Sequence, residues 1–213
     1  MTARSTILQS LRATRPDAAS PSDIAAESDA CAAAMRKTLP PLPANDLPGL
    51  FTARASAEKV GATVVRVAAF ADFPAAVACY VTDNILAPDF ALQPDPRLQK
   101  LDWGGLRPNE TLRPDTVLSV GLALCGVAET GSLVFHSSPS APTLFAYLPI
   151  HHVVALDAQT LYLRLEDYAT GMKGRPSPRN VNLITGASGT TDIEGVLTRG
   201  AHGPRKLHIV IYG

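Results

Sequence analysis

Between Asp115 and Asp157 the chain runs for 41 residues with one formally charged side chain, Glu129, in an otherwise apolar and neutral stretch. A lone carboxylate in the tight turn Glu129-Thr130-Gly131 between two apolar strands needs a hydrogen-bonded partner, or else carries a desolvation penalty that raises its pKa. Raised carboxylates serve as general acids, bases or nucleophiles. Glu129 is therefore a candidate catalytic residue, with Thr130 and Gly131 of the same turn as candidate ligand contacts; the structural alternative is an exposed hairpin tip. A second group lies in Asn180-Val-Asn-Leu-Ile-Thr185-Gly186-Ala187-Ser188-Gly189-Thr190-Thr191-Asp192-Ile193-Glu194, a strand, a small-residue loop and a helix start. Such a loop offers backbone N–H groups and hydroxyls to an anion at the C-terminal edge of a sheet. Gly186, Ser188, Thr191 and Asp192 are the ligand candidates here, although Thr191 and Glu194 also fit a capping box. A third group is Gly200-Ala-His202-Gly203-Pro204-Arg205. A histidine in a Gly-Pro loop is free of packing demands and suits proton transfer, and Arg205 can clamp a carboxylate or phosphate; the alternative is a solvated turn.

Other chemistries find no support. The loop after Thr185 matches neither the dinucleotide nor the Walker fingerprint, and there is no Gly-x-Ser-x-Gly elbow. Cys31, Cys79 and Cys125 lie far apart and form no CxxC pair, so neither a zinc nor an iron–sulfur site is written in this chain. His151 and His152, if extended, point to opposite sheet faces, while His136 and His208 stand isolated. No metal site is expected.

These residues need elements to hold them. Ser5 to Ala13 reads as a short helical arm, and Ser20-Pro21-Ser22-Asp23 supplies an N-cap, a first-turn proline and an early acid for an Ala-rich helix to about Lys37. A Pro-rich linker follows, so residues 1–44 are expected to form an arm and residues 45–213 the main domain. There the period alternates between helix and strand, the mark of an α/β layer architecture with a central mixed sheet flanked by helices. Leu47 to Val60 reads as helix, Ala62 to Ala68 as strand and Phe73 to Leu86 as helix, with short strand-like pieces around Phe90 and Leu98. Thr116 to Ala128 and Ser132 to Ser137 read as strands, Thr143 to Leu148 as a short helix and His152 to Leu156 as a strand. Asp157 is expected to cap a helix carrying Leu161, Leu165, Tyr168 and Met172. Strand Asn180 to Thr185, a helical turn from Thr191 and strand Leu207 to Tyr212 complete the reading.

Composition narrows the class. The 213 residues are 46% hydrophobic and carry 19 basic against 19 acidic side chains, enough to bury a core and too balanced for general attraction to nucleic acid or an anionic membrane surface. Neither a signal-peptide core nor a run of about 20 apolar residues occurs, so a cytoplasmic location and no membrane span are expected. The neutrality is a cancellation, with 13 basic and 17 acidic side chains up to residue 170 but 6 and 2 beyond it. The positive C-terminal stretch contains the Gly186 loop and the His202 turn, which favours a small anionic ligand.

The three groups in this order resemble the LUD-domain family of lactate-utilisation proteins, the LutC type. The resemblance runs through Ala128-Glu129-Thr130-Gly131-Ser132-Leu133-Val134, Leu148-Pro149 with His152, Pro178-Arg179-Asn180, Thr185-Gly186-Ala187-Ser188, Thr191-Asp192-Ile193-Glu194 and His202-Gly203-Pro204-Arg205 with His208. It implies a fold like that of ribose-phosphate isomerases, glucosamine-phosphate isomerases and CoA transferases. It also implies a role in oxidising L-lactate to pyruvate alongside iron–sulfur partner proteins, with no cofactor in this chain and a small carboxylate or phosphorylated ligand near Glu129 and the Gly186 loop. Self-association is left open. Arg199 stands where the family usually has an apolar residue, His151 is an added histidine, and the first 44 residues look particular to this chain. Two alternatives accompany this reading: an independent isomerase or acyl/CoA transferase using Glu129, by analogy with the Glu-Asn-Gly turn of CoA transferases, and a non-catalytic scaffold.

Overall fold

Ser20 ends its extended backbone where Pro21 fixes a helical φ, and the two start a helix together. In the computed structural model, which describes residues 3–13, 20–191, 197–200 and 202–213, helix α1 spans Ala3–Ala13 and α2 spans Pro21–Thr38. The Asp23 N–H donates to Ser20 Oγ and the Ser20 N–H to the Asp23 carboxylate, each at 3.2 Å, closing a capping box. Neither helix has a buried residue, as the thin, alanine-rich face of α2 anticipates. The chain divides into one unit over Met1–Pro41 and a second over Leu42–Gly213.

In the second unit the helices are α3 (Leu47–Ala55), α4 (Phe73–Asp83), α5 (Pro96–Gln99) and α6 (Leu165–Gly171). The strands are β1 (Thr63–Val67), β2 (Asp89–Leu92), β3 (Arg107–Asn109), β4 (Leu118–Leu122), β5 (Cys125–Val127), β6 (Ser132–His136) and β7 (His151–Asp157). They continue with β8 (Leu161–Tyr162), β9 (Val181–Ile184), β10 (Gly189–Thr191), β11 (Leu197–Arg199) and β12 (Lys206–Tyr212). The central sheet has the order β1-β12-β7-β4-β2-β3, and every described pairing in it is parallel. A second sheet, β8-β5-β6-β9, mixes one parallel pairing with two antiparallel ones, and β10 and β11 form a separate antiparallel ribbon.

The middle strands β4 and β7 are buried along almost their whole length, which is why their sequences are apolar without alternation. On one face Val120, Val153, Ala155 and Val210 meet Phe73, Val77, Leu98 and Trp103. On the other, Val154, Leu156, Ile209 and Ile211 meet Phe51 and Ala55 of α3 and Leu133 and Phe135 of the second sheet. Outside that sheet, Cys125, Val127 and Val134 pack under Tyr168 of α6. Phe51 and Phe73 have no exposed surface. Truncating either to alanine costs about 3–5 kcal/mol.

The α/β architecture, a central sheet flanked by helices, agrees with the sequence, and the differences are local. Antiparallel pairings lie in the second sheet rather than the central one. The expected strand from Thr116 breaks at Ala123 and Leu124: the Ala123 N–H still bonds Ala155 O of β7, whereas the Leu124 N–H bonds Val134 O of β6, so the chain changes sheets there. Helix α3 stops at Ala55 and α4 at Asp83; Leu98 lies in α5, not in a strand; and Thr143–Ala146 is a single 3-10 turn. Asp157 caps only a 3-10 turn over Ala158–Thr160, because Leu161 is drawn into the core as part of β8. Thr191 ends β10 instead of starting a helical turn. Asp192, Ile193 and Glu194 lie outside the described residues. Among the described residues no helix is long and apolar enough to cross a membrane.

Candidate functional site

The isolated Glu129 has a partner. Its Oε1 accepts from Arg164 Nη1 at 2.5 Å, across 35 residues of sequence. The Arg164 side chain is 11% exposed and that of Glu129 30%, so the pair sits at the edge of the second sheet with its cation nearly covered. Arg164 is also the N-cap residue of α6. The backbone joins the same place, since the Glu129 N–H donates to Leu163 O at 3.0 Å and the Ala128 N–H to Tyr162 O at 2.8 Å. Gly131 has a φ of 68°, and a Cβ there would lie 2.4 Å from the Ala55 nitrogen, so the missing side chain lets the turn lie against the end of α3. From the turn a chain of hydroxyls runs inward: Thr130 Oγ1 to Ser132 Oγ at 2.7 Å, and Ser132 Oγ to Thr185 Oγ1 at 2.6 Å.

Thr185 opens the small-residue loop. Gly186 has a φ of 79°, with the Val60 carbonyl oxygen 2.1 Å from where a Cβ would stand, and the Ala187 N–H donates to that same oxygen at 3.2 Å. On its other side the loop is tied to the His202 turn. The Ser188 N–H donates to Pro204 O and the Gly200 N–H to Ser188 O, both at 2.9 Å. Between these segments lies a depression of about 390 Å³ walled by Lys59, Tyr147, the loop from Thr185 to Gly189, Arg199, His202, Gly203 and Pro204. It lies beyond the C-terminal end of β9, beside the loops that lead into β7 and β12.

The structure thus brings together Gly186, Ser188 and His202. Glu129, Thr130 and Gly131 are not on the wall of this depression and reach it only through the hydroxyl chain to Thr185. Thr191 lies in the β10–β11 ribbon, Asp192 falls outside the described residues, and Arg205 lines a neighbouring cavity. Two cations that the sequence did not single out as ligand contacts line the depression. Lys59 was hidden because the helix was expected to run to Val60. Arg199 donates to the carbonyls of Glu58 (2.9 Å) and Val60 (3.3 Å) and covers Gly61, and so fastens the segment after α3.

The histidines divide as the strand period dictates. His151 turns toward α4, its Nδ1 at 2.9 Å from Tyr80 Oη, and His152 turns the other way, its ring 5.9 Å from that of Phe135. His152 is 1% exposed, its Nδ1 has no hydrogen-bond partner, and burial pushes its pKa down to about 3. It belongs to the core. His136 Nε2 meets Tyr168 Oη at 2.6 Å. His208, which looked isolated in sequence, stacks on Tyr80 with ring centroids 4.6 Å apart. Burial pushes the Cys125 thiol up to about 12, the opposite of a reactive thiolate. Among the described residues no group of three or more His, Cys, Asp or Glu is arranged to hold a metal ion.

Residues 115–212 match the family model described as LUD domain. Among curated proteins, the chain is 40% identical over 90 residues to Uncharacterized protein NMB1437 of Neisseria meningitidis, covering 41% of this chain and 39% of that protein. It is 31% identical over 107 residues to Lactate utilization protein C of Deinococcus radiodurans (47% of this chain, 48% of the relative). To the protein of that name from Anoxybacillus flavithermus it is 25% identical over 111 residues (51% and 50%). The matches therefore span half or less of each relative's length. Among solved structures, a DUF162 family protein from Deinococcus radiodurans superposes with a TM-score of 0.54 at 17% identity, over 81% of this chain and all of that one, which establishes a shared fold. The Glu129 turn, the Gly186 loop and the His202 turn all lie inside the segment that matches the LUD domain model, and about half of the chain is similar to proteins named Lactate utilization protein C.

Proposed function

We propose that this protein is a component of a system that oxidises L-lactate to pyruvate, and that it binds a small carboxylate in the depression between the Gly186 loop and the His202 turn. The observation that carries the reading is the convergence there of Lys59, Arg199 and His202 on a loop of small residues. Lys59 and Arg199 supply the positive field for a carboxylate, Ser188 offers a hydroxyl, and His202 is placed to exchange a proton or a hydrogen bond with an α-hydroxyl. The likeness to Lactate utilization protein C supports the substrate class.

Lactate oxidation releases two electrons and two protons. In this reading the electrons pass to the iron–sulfur partner proteins that the resemblance to lactate-utilisation proteins implies; the three cysteines of this chain are dispersed, two exposed and one buried. The Glu129 turn acts as a positioning element behind the site, through Thr130, Ser132 and Thr185. A nucleophilic Glu129 is the weaker reading, since its carboxylate is engaged by Arg164. The test is growth on L-lactate of a host that depends on this protein. Deletion is expected to abolish growth, and the double variant Lys59→Ala/His202→Ala, at normal protein level, to slow it at least several-fold. Normal growth of the deletion strain contradicts the function, and normal growth of the double variant contradicts the site.

A further inference from the structure

A second and larger cavity, about 720 Å³, opens at the N-terminal ends of β1 and β12. Its floor is the stacked pair Tyr80 and His208, with ring centroids 4.6 Å apart and planes 28° from parallel. Both rings are fixed from the side: Thr63 Oγ1 lies 2.7 Å from His208 Nδ1, and His151 Nδ1 lies 2.9 Å from Tyr80 Oη. With Nδ1 so occupied, Nε2 is the ring nitrogen of His208 that remains for a ligand. Burial holds His208 down at about 4, so the ring is neutral near pH 7 and coexists with the cations around it.

Those cations are Arg199, Arg205 and Lys206, set among the described residues against one carboxylate, Asp83. Elsewhere the arginines that line up with acids are committed, Arg97 to Asp95, Arg107 to Asp89 and Arg164 to Glu129. Arg205 has no hydrogen bond or ion pair with any described residue, and Lys206 Nζ donates only to the neutral Asn84 Oδ1 at 2.8 Å. A guanidinium with no partner among the described residues, beside an ammonium, suits a group with more than one negative charge and several acceptor oxygens, and the arginine fork matches a phosphoryl group. The space exceeds what a three-carbon acid would fill, leaving room for the rest of a molecule on the flat aromatic floor.

We propose that this cavity binds a phosphorylated small molecule, with Arg205 and Lys206 holding the phosphoryl oxygens and His208 hydrogen-bonding the remainder above Tyr80. The site is separate from the carboxylate depression and shares one wall residue with it, Arg199.

Calorimetric titration of the full chain with inorganic pyrophosphate tests the proposal. Saturable binding is expected, weakened about tenfold or more by Arg205→Ala and by Lys206→Ala, both exposed positions whose truncation leaves the core intact. Lys59→Ala, in the other depression, and Lys100→Ala, an exposed cation remote from both, are expected to change affinity by less than about twofold. Absence of saturable binding overturns the proposal, as do Arg205→Ala and Lys206→Ala variants that bind like the parent. An equal loss in Lys59→Ala or Lys100→Ala also overturns it, since binding would then belong to the neighbouring depression or to net charge alone.

Discussion

Gly186 lines the candidate site, whereas Glu129 stands behind it. The Val60 carbonyl fills the space where a side chain on Gly186 would go, at a positive φ. Gly186→Ala is therefore expected to destabilise the fold by about 2 kcal/mol or more, read as a lower urea midpoint; an unchanged midpoint would show that the loop has room to spare. For Glu129, replacement by glutamine removes a charge-assisted bond to a nearly covered guanidinium. The expected cost is about 1–2 kcal/mol, toward the lower end because the carboxylate is partly exposed. If Glu129 acted directly on ligand, Glu129→Gln would abolish binding at unchanged stability, which the positioning role does not allow. The sequence made the need for a partner legible, because a single charge among 41 residues cannot be left unsatisfied. It could not name Arg164, which reaches the turn only once β8 has paired beside β5. Gly186, Ser188 and His202 were readable because turn chemistry is local; Lys59 was not, because it joins them through long-range contacts.

At the level of elements, local signals proved reliable where a cap and proline decide the geometry, as at Ser20-Pro21, where the Asp23 N–H donates to Ser20 Oγ at 3.2 Å. Local signals failed where tertiary burial decides. Apolar residues from Thr116 to Ala128 look like one strand, but the stretch is shared between two sheets, and the break at Ala123 depends on β6 and β7 competing for its backbone. Leu161 fits a helical stripe with Leu165 and Tyr168, yet sits at 8% exposure between sheets as part of β8. Helices α1 and α2 contribute no buried residue. Deleting residues 1–41 is accordingly expected to leave the thermal midpoint of the remainder within about 2 °C, since no core burial is lost. A drop of 5 °C or more in differential scanning calorimetry would mean that these helices stabilise the second unit.

For the molecule as a whole, a net charge of zero conceals a positive C-terminal fifth. That fifth supplies Arg199, His202, Arg205 and Lys206 to two adjoining cavities. Strands β7 and β12 bury His152 and His208, with pKa values pushed down to about 3 and about 4. In the unfolded chain both titrate near 6.5. Above that pH neither state is protonated; below it the unfolded chain binds protons that the folded one refuses, so stability falls as pH drops from about 6.5 toward 4. The slope is at most about 1.4 kcal/mol per pH unit for each histidine. Urea midpoints at pH 7 and pH 5 should therefore differ clearly, and equal midpoints would mean that the two rings are protonated in place.

The central claim, a small carboxylate seated between the Gly186 loop and His202, is tested most directly by following the histidine ring resonances of the full chain during titration with L-lactate. A saturable shift of His202, with His152 unmoved and the affinity reduced about tenfold in Lys59→Ala, is the predicted result. A His202 signal that stays put at saturating lactate, or one that shifts equally in Lys59→Ala, would contradict it.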